Sequence, residues 1–454
     1  MMVAGMVVTA RQQRHLSRFT DQGRQTVRAV VISEPTPRAH SVAVDLLVVD
    51  NGQRVKGYLR TDERSLGLLP GDGLLLTTHI EPTAHLRLGT FSYGRHLQVH
   101  GFTGRCFAEP SAWQAAPGAS LLLPRLERLK VQALRWRHGQ LLRLREATRG
   151  DSTVYGVLAA MTLGEKSALR AEQRAVYAAT GASHVLALSG LHLGILFSLF
   201  FMIMRPGRRS VVAGLLAVLL VWAFALLTGL SPSVVRSALM LTLSSVFSLR
   251  HGGRLSLSGV ALAAILMLLA NPYTLFDVGF QLSFLSVFAI ILLTPLLDSL
   301  WPRDFLWRHG LVRRLWALVA VGIAAQAGTA PLVAYYFGSF SVVFIVTNLV
   351  AIPCAYAILW LALFYLLWPL AATGSALVGV VSLLNDSLMS IASWPFACVA
   401  DLHPSPVRVV LAYVVIGSLA LMASILRQYP RLPQQPQTKF PRQNPSETSS
   451  QRKR

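Results

Sequence analysis

The 454-residue chain is 53% hydrophobic and only 14% charged, with a mean hydropathy of +0.50, whereas a soluble domain carries about 25% charged residues. Long unbroken apolar runs mark an integral membrane protein and exclude an ordinary soluble enzyme, extended disorder and a disulfide scaffold. The 42 lysines and arginines against 20 acids leave a net charge of +22, which suits a nucleic acid, an anionic lipid surface or membrane topology. Cys106, Cys354 and Cys398 are too widely spaced for a CxxC redox site or a cysteine metal site.

After a short N-terminal segment (1–26), residues 27–118 carry five or so β-type segments: VRAVVIS, VAVDLLVVD, RVKGYLR, DGLLLTTHI and HLQVHGFTG. Val42, Val44, Leu46 and Val48 alternate with Ser41, Ala43, Asp45 and Leu47, as in a half-buried strand. Asp50-Asn51-Gly52 supplies residues that tolerate φ > 0, predicting a tight hairpin between its neighbours, and Pro70-Gly71-Asp72-Gly73 marks the next turn. So many strands without an intervening helical pattern favour a small antiparallel barrel of the OB type over a small sandwich. An excess of arginine over acids is expected in this domain, which would make any binding of a polyanion salt-sensitive.

Residues 119–183 form a helical connector. In LLLPRLERLKVQALRWRHGQLLRLREATR, Leu126, Leu129, Ala133, Trp136, Gln140 and Leu144 fall at helical spacing among arginines, as in a basic amphipathic helix on a membrane surface or an exposed connector; phosphate contact is a third use. From His184 to 427 the apolar runs begin, and about 20 residues of helix cross a bilayer. Spans are expected at 184–204, 209–229, 234–249, 255–270, 277–297, 315–335, 341–370, 374–398 and 407–427. The third and fourth are short and the seventh contains Pro353, so broken or re-entrant helices are expected there. The fold class is thus a polytopic α-helical membrane protein of about eight or nine transmembrane or re-entrant helices with an N-terminal small all-β OB-like domain.

Basic residues follow alternate spans: Arg205, Arg208 and Arg209; Arg250 and Arg254; Arg303, Arg308, Arg313 and Arg314; and Arg427 with the polar tail 428–454. The other loops, LSPS, NPYTLF and FGSFS, have none, so the basic loops and the tail face the cytoplasm and the β domain lies outside. MMVAGMVV is too short for a convincing signal peptide. The tail is Pro-, Gln-, Ser- and Arg-rich, expected to be disordered with a polybasic end that suits an anionic lipid surface.

Polar groups inside spans cost free energy unless paired or hydrated, so they carry functional information. Thr180–Leu196 holds His184, Ser189, Gly190, His192 and Gly194. On one continuous helix Ser189 and His192 share a face and His184 lies about 80° from His192. Two histidines without a carboxylate are too few for a metal site, and ALSG departs from the GxSG turn of intramembrane serine proteases. Close helix packing and a pore-lining role both fit. Arg236 follows Ser231-Pro232-Ser233 and either snorkels, packs structurally or faces a water-filled path for phosphates. Asp277 is a natural helix cap, with Gln281 and Ser283 deeper. Gln326, Thr329, Pro331 and Asn348 flank the FGSFS loop.

Taken together, GASHVLALSGLHLGIL, LTGLSPSVVRSALM, NPYTLFDVGFQLSFLSV and TAPLVAYYFGSFSVVFIVTNLVAIP, in this order and spacing, resemble the ComEC family of competence proteins, over about residues 27–427 including GTFSYGRHLQVHGF. The resemblance implies passage of single-stranded DNA through a polytopic channel in the bacterial inner membrane, with the external domain receiving the strand. Pore or packing candidates are His184, Ser189, His192, Arg236, Asp277, Gln281, Gln326 and Asn348. No catalytic residue, metal or cofactor is expected. The HxHxDH motif of the metallo-β-lactamase-like domain found in many members is not present, and His403 in DLHPSP does not replace it. The transmembrane helices that usually precede the OB-like domain are not seen either, as in a truncated copy. The sequence has no GxxxxGK[ST], so a separate motor ATPase, DNA receptor proteins and a separate nuclease are the implied partners beside DNA and the bilayer. A permease for a smaller anionic solute and a membrane hydrolase built on Ser189 are the alternatives.

Overall fold

A computed structural model describes residues 23–83, 93–204, 211–251 and 257–428. The tail, most of the N-terminal segment and the basic loops at Arg205, Arg208, Arg209 and Arg254 lie outside the described residues.

The N-terminal domain comprises β1 (Arg24–Val31), β2 (Thr36–Pro37), β3 (Ser41–Val48), β4 (Arg54–Arg60), helix α1 (Glu63–Leu66), β5 (Gly73–Pro82), α2 (Tyr93–Val99), β6 (Gly104–Ala108) and β7 (Trp113–Ala115). Strand order β1-β3-β4-β6-β5 closes because β1 pairs with both β3 and β5, and β4 runs parallel to β6. The result is a five-stranded, OB-like barrel without free edges along that ring. Val42, Val44, Leu46, Val55, Leu59, Leu74, Leu76 and Cys106 fill it; burial pushes the Cys106 thiol up to about 12, leaving it a packing residue. The β3–β4 hairpin forms at the expected place, with Gly52 at φ +70° and Asn51 Oδ1 accepting from Gln53 N at 3.0 Å.

Three local expectations are corrected. HLQVHGFTG is not a strand: Tyr93–Val99 is helical and β6 begins only at Gly104. The outer residues of β3 do not all face water, because Leu47 joins Val30, Ile32, Ala119, Leu123 and Val131 in a second core under the connector. Over residues 27–118 the charges nearly balance, with nine basic residues against eight acids, so the positive charge resides elsewhere.

Helix α3 (Arg125–Ala147) joins barrel and bundle. Its buried stripe is Val131, Leu134, Arg137, Gln140, Leu141 and Leu144, while Leu126, Leu129 and Trp136 are exposed, so Gln140 and Leu144 of the expected face meet protein and its N-terminal half does not. Glu127 accepts from Arg54 at 2.5 Å and Arg135 donates to Asp72 at 2.7 Å, pinning the helix to the barrel. Leu141 and Leu144 enter the main bundle core.

That core surrounds α4 (Ser152–Leu163), a short apolar helix whose Val157, Leu158, Ala159, Ala160 and Met161 are fully buried against Ile358, Leu377 and Leu384. Short helices α5 (Ala171–Ala179) and α6 (Ser183–Leu186) follow. Among the described residues nine bundle helices come next: α7 (Gly190–Met204), α8 (Val211–Leu227), α9 (Pro232–His251), α10 (Leu257–Ala270), α11 (Val278–Asp298), then, after the short α12 (Arg303–Arg308), α13 (Gly310–Phe337), α14 (Phe344–Leu367), α15 (Ala371–Ala392) and α16 (Pro406–Gln428). Among the described residues α11, α13, α14 and α15 are long and apolar enough to cross a membrane, as is Pro406–Arg427. Pro353 sits inside an unbroken α14, so the break expected there does not form. Gly328 lets α13 approach α11 closely, against Ala289 and the Leu285 carbonyl. The chain is a multi-pass membrane protein.

Candidate functional site

Three of the polar candidates lie at helix starts: His192 on α7, Arg236 on α9 and Asp277 before α11. Helix α7 does not start at His184: the chain leaves the helical conformation at Ala187 and re-enters at Gly190. His184 therefore belongs to α6, where its Nδ1 donates to Gly181 O at 3.0 Å, and the single-helix relation to His192 is replaced by a turn. Ser189 and His192 do come together, with Oγ 3.2 Å from Nδ1 and the Ser189 N–H 3.4 Å from the same nitrogen. His192 is fully buried, and its Nε2 has no partner. The contact joins the residue before α7 to the helix's first turn, and no acid reaches the other imidazole nitrogen among the described residues. Gly190 keeps the turn close to α9, where a Cβ would lie 3.3 Å from Ser237 Oγ.

Arg236, one residue before, is buried in the first turns of α9. Asp277 Oδ1 caps α11 by accepting from Gly279 N at 2.8 Å, the role its position predicts, while Oδ2 stands 3.7 Å from Arg236 Nη1. That separation is an ion pair without a hydrogen bond, and Arg236 Nε has no partner. Gly279 makes room for the guanidinium, since a Cβ there would lie 3.2 Å from Nη2.

Gln281 is spent on structure: its Nε2 donates to Leu275 O at 2.9 Å and Tyr336 donates to its Oε1 at 3.0 Å, which ties the end of α13 to the start of α11. Asn348 crosses α13 at Gly322 and leaves a buried Oδ1 unpartnered beside a narrow crevice lined by Leu318, Val319, Ile345 and Leu349. Gln326 lies half-buried one turn beyond Gly322. Among the described residues no hydrogen bond or ion pair joins the Ser189–His192, Arg236–Asp277, Gln281 and Asn348 groups to one another.

Two features escaped the sequence pattern. Asn271 Nδ2 donates to Val99 O at 3.0 Å and the Arg95 guanidinium lies 5.6 Å from the Phe276 ring centroid, so α2 of the barrel sits directly on the NPYTLF loop that leads to Asp277. On the barrel's outer face Arg38, Tyr58, Phe107 and Arg105 form a ladder, with the two rings stacked at 5.2 Å and a guanidinium 5.3 Å from each. The parallel β4–β6 register, Tyr58 opposite Phe107, builds it. Most other cations of this face are engaged: Lys56 with Asp45, Arg60 with Glu109 and Arg105 also with Glu81. Aromatics on alternate positions of two strands were the available signal, but the parallel pairing that aligns them needs the closed barrel.

The Competence protein family matches residues 161–425. The chain is 30% identical to ComE operon protein 3 of Bacillus subtilis over 370 residues, 80% of this chain and 45% of that protein. It is 29% identical to Competence protein ComA of Neisseria gonorrhoeae over 306 residues, 63% of this chain and 40% of that one. An uncharacterized Aquifex aeolicus protein is 32% identical over 187 residues. No solved structure gives a significant match. The chain spans less than half the length of these curated relatives. With the family matched across the whole bundle and an OB-like barrel seated on it, the chain belongs to the competence protein family, of the ComEC type.

Proposed function

We propose that this chain is the channel component that passes single-stranded DNA across the bacterial inner membrane during natural transformation. The observation that carries the reading is the seating of an OB-like barrel, a fold used for single strands, on the bundle end where Arg236 and Asp277 lie, through Asn271–Val99 and Arg95–Phe276. Competence is named in the matching family and in one relative. The arginine-rich loops are cytoplasmic and the barrel external under the positive-inside rule. A separate motor ATPase, DNA receptor proteins and nuclease complete the pathway.

In this reading Tyr58 and Phe107 receive bases: a base takes the place of a guanidinium against a ring while the displaced arginine turns to a phosphate. Because the surrounding cations already have acid partners, stacking outweighs charge here. Phe107→Ala combined with Tyr58→Ala is therefore expected to weaken binding of a short single-stranded oligonucleotide by tenfold or more, from about 1–3 kcal/mol per stacked base. Fluorescence anisotropy on the purified chain checks this, and affinity within twofold of native would remove the platform.

The decisive test of the function is entry of fluorescent DNA into the cytoplasm of cells with the gene deleted and then restored, scored beside DNA survival in the periplasm. Loss and recovery of cytoplasmic entry alone is the expected result. Unaffected entry would turn attention to smaller anionic solutes.

A further inference from the structure

Between the buried α4 and the turn at Ser189 runs a strip of a different kind. Arg170, Ala171, Arg174, Ala175 and Ala178 recur along one face of α5 and are all exposed, while Tyr177 and Thr180 on the other face are buried. Lys166 and Ser167 extend the strip at one end, and exposed Ser183 and His184 at the other. The buried face is fixed by Tyr177, which donates to Asn385 Oδ1 at 2.9 Å, and by Gln173, which donates to Thr153 O at 2.8 Å.

Three cations line this strip. Arg170 donates to Ser152 Oγ at 2.5 Å and Arg174 to Lys166 O at 2.7 Å, which leaves most of each guanidinium fork unused. Among the described residues no ion pair joins Lys166, Arg170 or Arg174 to a carboxylate. Of the nearby acids, Glu165 pairs with Arg137 and accepts from Ser167 N, Asp151 accepts from the Thr153 hydroxyl and caps α4 while its charge also acts on Arg170, and the exposed Glu172 lies on α5 beside the strip. Burial first, and then the charge of Arg174, holds the Lys166 ammonium below its ordinary value.

The strip does not resemble the lipid-facing helices. Those display large apolar side chains, Val212, Leu215 and Leu219 on α8 and Val407, Val410 and Leu411 on α16, whereas this face displays only alanine among its apolar residues. Small side chains between arginines let a polymer backbone come close while the guanidiniums grip its phosphates.

We infer that this face is a phosphate rail for single-stranded DNA, made by Lys166, Arg170 and Arg174 and leading to His184. It rests on the transport reading above and places a second strand contact within the chain, apart from the barrel. Repeated weak phosphate contacts of this kind favour entry without trapping the strand.

The test uses the full chain in nanodiscs of zwitterionic lipid and a labelled oligothymidylate of roughly 30 nucleotides, longer than the 4–16 that one OB fold covers, followed by anisotropy across a salt series. Arg170→Gln with Arg174→Gln is expected to weaken binding about tenfold and to flatten the salt slope by about 1.4, two phosphates' worth for a single strand. The start of α5 should survive, since its Arg170 N–H is held by Gln173 Oε1 and not by the arginine side chain. Ala175→Glu removes no contact and is expected to weaken binding similarly, with Ala175→Gln near native. If the native chain binds and none of these variants changes affinity or slope, the rail is overturned and the channel reading stands. If the native chain does not bind single strands, both fall. An effect seen only on vesicles containing phosphatidylglycerol would make the strip a lipid surface and overturn the rail.

Discussion

Arg236→Glu is expected to abolish DNA uptake, and two companion variants separate the structural from the transport cause. Arg236 is 6% exposed at its side chain and Asp277 18%, so a glutamate at 236 would put two carboxylates together in a site shielded from water. Asp277→Asn keeps the cap, because asparagine accepts from Gly279 N as well as aspartate does, but leaves a buried guanidinium without a counter-charge. Removing one member of a buried pair typically costs about 3–5 kcal/mol, and the single variants should melt earlier accordingly. Arg236→Gln combined with Asp277→Asn removes both charges and should recover most of that stability. If the guanidinium meets phosphates at the channel mouth, the stable double variant still takes up labelled DNA at least tenfold more slowly than native. Recovery of uptake to within twofold would make the pair purely structural.

The barrel was largely legible because period-two alternation and turn residues report directly on strands, as in Arg54–Arg60, where observed and expected limits coincide. HLQVHGF failed because Leu97 and Val99 alternate with polar residues in so short a stretch that a strand and two turns of helix look alike; only Gly94 and Leu97 of that helix are buried. Helix α3 carries two apolar stripes, and which of them meets protein depends on where the barrel docks. Ser152–Leu163 is apolar all round and too short to cross a membrane, which marks it in retrospect as a helix buried within protein. At the site, Asp277 as a cap was readable from local preference. Its pairing with Arg236 was not, since that depends on how α9 packs against α11. The exposed face of α5 was hidden for a similar reason: its alanines have no pattern until Tyr177 fixes which side is buried.

Away from Arg236 and Asp277, Glu165→Ala is expected to cause the largest loss of stability, about 3–5 kcal/mol, out of the 5–15 kcal/mol that holds a typical domain folded. Arg137 donates to Glu165, and the side chains are only 7% and 13% exposed. The bond ties the helix that carries the barrel to the loop after α4, the most buried helix of the bundle. Without the carboxylate, Arg137 keeps its charge in a site where its Nε already has no partner, and the guanidinium cannot escape by losing a proton. Arg137→Met is expected to cost less, because Glu165 still accepts from Ser167 N at 2.9 Å and can take up a proton. Arg137→Met with Glu165→Leu should return near the native melting temperature or above it, since apolar replacements of a buried pair are often neutral or stabilising. Tryptophan-monitored melting of the purified chain measures all three. A Glu165→Ala shift equivalent to less than about 0.5 kcal/mol, the range of an ordinary surface substitution, would mean that water reaches the pair and that it adds little to the packing of Leu141 and Leu144 in the bundle core.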